Sequence, residues 1–233
     1  MNISNSYAGK VTFEERQRNL NFLKALYTLW AIQLAIIVAF ASFAHAYYDE
    51  LGIHILTYWQ VAIATGIILL VTSLVCFFVP ACQRPPLSVV LYFVFTLCFA
   101  HFYTWLSLVD PTYLLFYTLW LFLAVAVGYM IYAWAAQTYM NAMMSLLSTS
   151  IGTFFVFVGF LIFSEINFIG LLLVLMAVLL MGFYANYDMR KMVKGGIQDY
   201  SREDPWSGAV RIWTEAKLVF FRFIELLGRS CCK

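Results

Sequence analysis

Asp188 and Glu215 are the residues of this chain whose type and placement could do chemistry inside a membrane. Asp188 closes an apolar stretch that begins after Glu165, and Glu215 lies about a turn and a half into a further apolar stretch, 209–228. An antiparallel hairpin with the short connection 190–208 would bring both carboxylates to similar depth. Two carboxylates meeting in a partly dehydrated cavity can share a proton, which makes the pair a pH-sensitive latch. They also offer oxygen ligands to a hard cation such as calcium. A plainer reading stands beside this one: Asp188 is the first solvated residue after a span, and Glu215 is the i, i+4 partner of Arg211. The residues alone leave both open.

The remaining polar inventory of the apolar runs is short: chiefly Gln33, His101, Asn141 and Asn186. A lone histidine such as His101 is expected to hydrogen-bond a neighbouring helix rather than to ligate a metal or relay protons. No second histidine, cysteine or carboxylate stands at metal spacing from it. No nucleophile has a base nearby in sequence and no glycine-rich phosphate loop occurs, so the expectation is that the protein is not an enzyme and holds no cofactor. Cys76, Cys82 and Cys98 are isolated in apolar surroundings and Cys231 and Cys232 sit together near the end; all five read as reduced thiols.

These residues need a scaffold, and composition says what kind. Of 233 residues, 64% are hydrophobic and 11% charged, where a soluble chain would run near ~45–50% and ~25%. That excludes an ordinary soluble domain. A net charge of +2 from 14 basic and 12 acidic residues excludes a nucleic-acid surface.

Because a charge at the bilayer centre costs at least about 2.5–3.5 kcal/mol on insertion scales, the gaps between charges mark the spans. The gaps Lys24 to Asp49, Glu50 to Arg84, Arg84 to Asp110 and Glu165 to Asp188 each hold one helix. The 54 residues between Asp110 and Glu165 carry no charge and must turn once. The polar patch Gln137 to Asn141 is the place for that turn, which makes six spans.

The seventh stretch differs. On a helix, Arg211, Glu215, Leu218, Arg222 and Glu225 fall within one sector of about 80°, with Lys217 elsewhere. Such a stripe cannot face lipid. Either the helix lies inside the bundle with its stripe toward a polar cavity, or it floats at the interface, and periodicity leaves both open. Seven spans put the C-terminus on the far side; six put it in the cytosol.

Orientation follows from nine basic residues on one side of the six spans: Lys10, Arg16, Arg18, Lys24, Arg84, Arg190, Lys191, Lys194 and Arg202. The opposite loops, near Asp49, Asp110 and Glu165, contain none. The N-terminus is therefore expected in the cytosol. No cleavable signal peptide is visible, so the first span is expected to serve as its own targeting signal. Small residues at three- or four-residue spacing, Ser145, Ser148, Thr149 and Gly152 in the fifth span and Gly182 and Ala185 in the sixth, are expected at close helix contacts.

Several stretches resemble one family. The first span, Phe22-Leu-Lys24-Ala-Leu-Tyr27-Thr-Leu-Trp30-Ala-Ile-Gln33-Leu34, is similar to the opening motif of the Bax-inhibitor and lifeguard proteins, the transmembrane BAX inhibitor motif family. Arg84-Pro85-Pro86-Leu87-Ser88 with Phe95-Thr96-Leu97, Tyr187-Asp188, and Ala209-Val-Arg-Ile-Trp-Thr-Glu215 with its continuation to Gly228 resemble later motifs in the family's order. The resemblance implies an all-α, polytopic seven-helix bundle with the last helix central. It also implies a pH-sensitive calcium leak of intracellular membranes, linked to cell-death suppression, with Asp188 and Glu215 as sensor and gate and calcium or protons as the ions.

The departures are specific. Glutamate replaces the family's second aspartate, Met189-Arg190 replaces its Thr-Gln, and its basic cluster after the second helix is reduced to Arg84. Arg211, Lys217 and Arg222 add positive charge to the last helix, so Arg84, Arg211 and Arg222 are candidate ion-pair partners of the carboxylates. Those pairs favour an alternative: a non-conducting membrane interaction protein with the same fold. A retinal protein using Lys217 is disfavoured, since the third span has no acidic counter-ion.

The expected organisation is a cytosolic leader over 1–23, a membrane domain over 24–228 and a tail over 229–233. The expected partners are the lipid bilayer, calcium and cell-death regulatory membrane proteins, with no nucleic acid. The expected home is the endoplasmic reticulum, Golgi or another endomembrane ahead of the plasma membrane.

Overall fold

The computed structural model describes residues 13–137, 141–163, 168–193 and 204–213. Among them every regular element is helical. The long helices are α1 (Phe13–Ala46), α3 (Trp59–Phe78), α4 (Leu87–Val109), α5 (Leu114–Ala135), α6 (Ala142–Phe163) and α7 (Phe168–Val193). A π-helical turn (Tyr48–Gly52) and the short α2 (Ile53–Thr57) join α1 to α3, and a 3-10 turn (Pro80–Gln83) follows α3. Residues 205–213 form a further helix, α8. Among the described residues six helices are long and apolar enough to cross a membrane, in agreement with the six charge-free runs. Glu215, Lys217, Arg222 and the rest of the seventh stretch after Trp213 lie outside the described residues.

The helix ends follow from local chemistry. Val79 is extended because it precedes Pro80, and Asp110 is extended because it precedes Pro111. Asp110 then reaches forward: its carboxylate accepts the Leu115 N–H at 2.9 Å and the Thr112 N–H at 3.0 Å, closing the turn into α5. The expected break in the long uncharged run falls where the polar patch stands, between Ala135 and Ala142. Asn141 caps α6 by accepting the Met143 N–H at 3.0 Å. Asp204 caps α8 through the N–H groups of Trp206 and Ser207, with Pro205 at the first helical position.

Among the described helices α1 is the most enclosed. In its most apolar membrane-length window 56% of residues are buried, against 17% for α6. Leu26, Tyr27, Trp30, Leu34, Ile37, Ala41 and Ala44 recur at helical spacing and are all sealed. The stretch read as a leader is helical from Phe13 onward, continuous with the span. Large apolar side chains such as Leu97, Phe155, Phe163 and Leu180 are exposed, as a lipid-facing surface requires.

Small residues set two helix contacts. A Cβ on Gly182 would stand 2.6 Å from a Val125 methyl, and one on Gly128 would stand 3.1 Å from the Thr149 Cα, so α7 and α6 both approach α5 closely. Ser145, Thr149 and Ala185 are buried as expected. Gly152 and Ser148 are a correction: both are exposed, and nothing lies within 4 Å of a Cβ built on Gly152. The buried side of α6 runs through Ser145, Thr149, Thr153 and Phe157, which leaves Ser148 and Gly152 off the contact.

Candidate functional site

The last two turns of α7 carry the polar residues of the sixth span. Leu171, Leu175, Val178, Gly182, Ala185 and Met189 form its buried row by helical spacing, and Asp188, at the flank of that row, is also buried at 5% exposure. Tyr187, on the opposite face, is exposed to the lipid side. The aspartate is therefore enclosed, not the first solvated residue after the span. An enclosed carboxylate at a span end is costly to hold without function or compensation.

Beside it lies a cluster joining three helices. Tyr27 of α1 donates its hydroxyl to Asn186 Oδ1 at 2.6 Å, and Arg190 donates Nε to the same oxygen at 3.1 Å. Arg190 Nη2 donates to Ser145 Oγ of α6 at 3.1 Å, and Asn186 Nδ2 donates to that hydroxyl at 3.4 Å. The Tyr27 ring stacks on Tyr129 of α5 with centroids 5.6 Å apart. A guanidinium read from sequence as a flanking charge is thus turned into the bundle, two residues from Asp188. Arg190 thus ties α7 to α6, while Asp188, two residues earlier, points to a different side of α7.

A second polar node lies deeper. Trp213 of α8 donates Nε1 to Gln33 Oε1 at 2.8 Å, and Gln33 Nε2 donates to Thr96 Oγ1 at 3.2 Å. Gln33 is fully buried. The indole packs against Phe99 at 4.7 Å and Phe122 at 6.1 Å, while Trp206 packs edge-on against Tyr92 at 5.2 Å. Ala209, Val210 and Ile212 are buried between these anchors. Gln33 follows Tyr27 by six residues on α1, about 9 Å of helical rise. The Trp213 node therefore sits further into the bundle than the Arg190 cluster.

The sequence-predicted residues are distributed accordingly. Asp188 is enclosed, Arg211 is half-buried on α8, and Arg84 is exposed at the turn before α4. Glu215 and Arg222 lie outside the described residues. His101 meets the Thr65 hydroxyl on α3 at 3.3 Å through Nδ1, the helix-to-helix bond expected of it. Asn141 is a helix cap. Cys76, Cys82 and Cys98 form no disulfide among the described residues. Among the described residues no three metal-ligating side chains gather.

Sequence reasoning missed Tyr27, Ser145 and Arg190 as members of one cluster. The i, i+4 spacing of Asn186 and Arg190 was the available signal. It also missed Asp204, whose Asp-Pro pair is a helix-start signature.

Residues 19–231 match the family model described as "Inhibitor of apoptosis-promoting Bax1". No curated protein and no solved structure matches the chain.

Proposed function

The chain belongs to the family of inhibitors of apoptosis-promoting Bax1, as a multi-pass membrane protein related to cell-death suppression, and from that premise we propose that it is a pH-sensitive calcium leak of intracellular membranes. Asp188 and Glu215 form the sensor and gate. The observation that carries the reading is the enclosure of Asp188 at the end of the sixth span, beside the Arg190 cluster. An ionisable group held there makes local charge, and so the packing of α7 against its neighbours, responsive to protons.

In this reading α8 continues past Trp213 through the middle of the bundle as its seventh and central helix, with the N-terminus cytosolic. Glu215 follows Trp213 by two residues and Arg211 precedes it by two, so Arg211 stands on the Asp188 side of the node. Arg211, with Arg222 and Arg84 near the ends of their helices, pairs with the carboxylates in the shut state. Proton uptake loosens those pairs, and calcium passes where the carboxylate oxygens are freed. Death-regulating membrane proteins would sense the resulting change in stored calcium or bind the bundle directly.

The test is flux in liposomes holding the purified protein, measured against pH. Asp188→Asn and Glu215→Gln should each flatten the pH response. A measurable flux whose pH dependence survives both substitutions overturns the assignment. The bonding of Arg190 into the Asn186–Ser145 cluster favours a second reading, a bundle locked shut that acts through partners. Flux absent at every pH from a folded bundle selects it.

A further inference from the structure

His101 stands on the seam between α3 and α4 with one ring nitrogen bonded and the other left over. The Thr65 hydroxyl donates to the Ala62 carbonyl at 2.9 Å, so it is the hydroxyl oxygen that meets His101 Nδ1 at 3.3 Å. Nδ1 must then carry the hydrogen of that bond, and a neutral imidazole with Nδ1–H has a bare lone pair on Nε2. Protonating the ring instead would leave a half-exposed charge in lipid, the costlier state. Nothing among the described residues donates to Nε2.

The missing donor has to come from within the bilayer. His101 precedes the α4 end at Val109 by eight residues, about 12 Å of helical rise, which sets it inside the hydrocarbon of a roughly 30 Å core. It is half-buried, and the row it continues faces outward: Val90, Val94 and Leu97 lead to it at helical spacing and all three are exposed. In hydrocarbon an acceptor on such a face is satisfied by another helix.

The same row carries a donor that lacks an acceptor. Trp105, one turn beyond His101 toward Asp110, is half-buried with its ring stacked on Phe102 at 6.5 Å, and its indole N–H has no hydrogen-bond partner among the described residues. Helix side chains lean toward the N-terminus, so the indole leans toward the level of His101. Acceptor and donor on one face of one chain make that face self-complementary. Two copies related by a two-fold axis along the membrane normal give each Nε2 an indole N–H from the other chain.

We propose that the His101/Trp105 face of α4 is a homodimer interface within the membrane, where a second copy of this chain docks and His101 of each copy accepts the indole N–H of the other. The inference does not rest on the leak reading.

The experiment is self-association of the full chain in liposomes, read by energy transfer between donor- and acceptor-labelled copies as the protein is diluted in lipid. The parent should show transfer that falls on dilution as a dimer dissociates. His101→Asn keeps an amide N–H for Thr65 and removes Nε2, and Trp105→Phe keeps a ring against Phe102 and removes the indole N–H. Each deletes both symmetric bonds and should weaken the dimer about tenfold, with the double variant little weaker than either. Leu180→Ala, on the lipid-facing surface of α7, should associate like the parent. Should His101→Asn fail to fold, Trp105→Phe decides alone. A parent that shows only the transfer of randomly placed monomers at every dilution overturns the proposal. So does a dimer that is as tight with Trp105→Phe as in the parent.

Discussion

Trp213 and Gln33 are joined by a 2.8 Å hydrogen bond across 180 residues of sequence, a polar bond that ties α8 to α1. Both ends of the Gln33 amide are used, since Thr96 takes the other. Gln33→Leu should leave the indole N–H short of a partner, while the Thr96 hydroxyl keeps the Tyr92 carbonyl, and destabilise the bundle by about 1 kcal/mol, the scale of interhelical bonds in membranes. Trp213→Phe should cost a similar amount, and the double variant less than the two together. Thermal unfolding in detergent measures this; strictly additive losses would show that the bond does not couple the helices.

Arg190 should act as a lock on α7. Its guanidinium reaches both Asn186 and Ser145, whereas Asn186 keeps Tyr27 without it. Arg190→Gln should therefore lower Tm modestly and raise flux several-fold at neutral pH by loosening α7 from α6. Side-by-side flux and melting measurements check it. A variant that melts earlier with unchanged flux would make Arg190 structural only.

The spans were legible because charge is expensive in lipid: every gap between charged residues returned a helix, and the polar patch around Gln137 returned the break. The π-helical turn and α2 between Tyr48 and Thr57 were not legible, because the residues there carry no distinctive period. The enclosure of Asp188 was half legible. Its type and position marked it, but burial depends on α1, α5 and α6, whose contributions Tyr27, Tyr129 and Ser145 are ordinary residues until the helices assemble. Depth was the harder quantity. The short 190–208 connection suggested similar depth for Asp188 and Glu215, and Glu215 lies outside the described residues; what the structure adds is that Tyr27 and Gln33, six residues apart on α1, anchor Asn186 and Trp213.

Gly182 should be the least tolerant glycine. An added methyl meets a Val125 side-chain carbon at 2.6 Å, and a β-branched side chain packed against a helix has few alternative rotamers. Gly182→Ala should destabilise by about 1–3 kcal/mol through overpacking of α7 on α5. Gly152→Ala and Gly159→Ala, where nothing lies within 4 Å, should be neutral or slightly stabilising from helix propensity alone. Melting temperatures of the three variants decide it, and equal effects at all three positions would refute the close contact.

Asp110 sets a pH dependence of stability outside the membrane core. Partial burial opposes ionisation of its carboxyl, but hydrogen bonds from Leu115, Thr112 and Leu114 outweigh it and hold the group below the ordinary carboxylate range of about 4. A group depressed in the folded state stabilises fully above its unfolded value and loses that contribution as pH falls through its folded one. The parent protein should therefore keep its stability down to about pH 4 and lose part of it below. Asp110→Asn should melt earlier than the parent at pH 7 and converge with it in acid, because the amide oxygen can still accept one N–H but carries no charge to complement the start of α5. If the gap between the two proteins stays constant from pH 7 to strongly acidic pH, Asp110 caps the helix through hydrogen bonding alone.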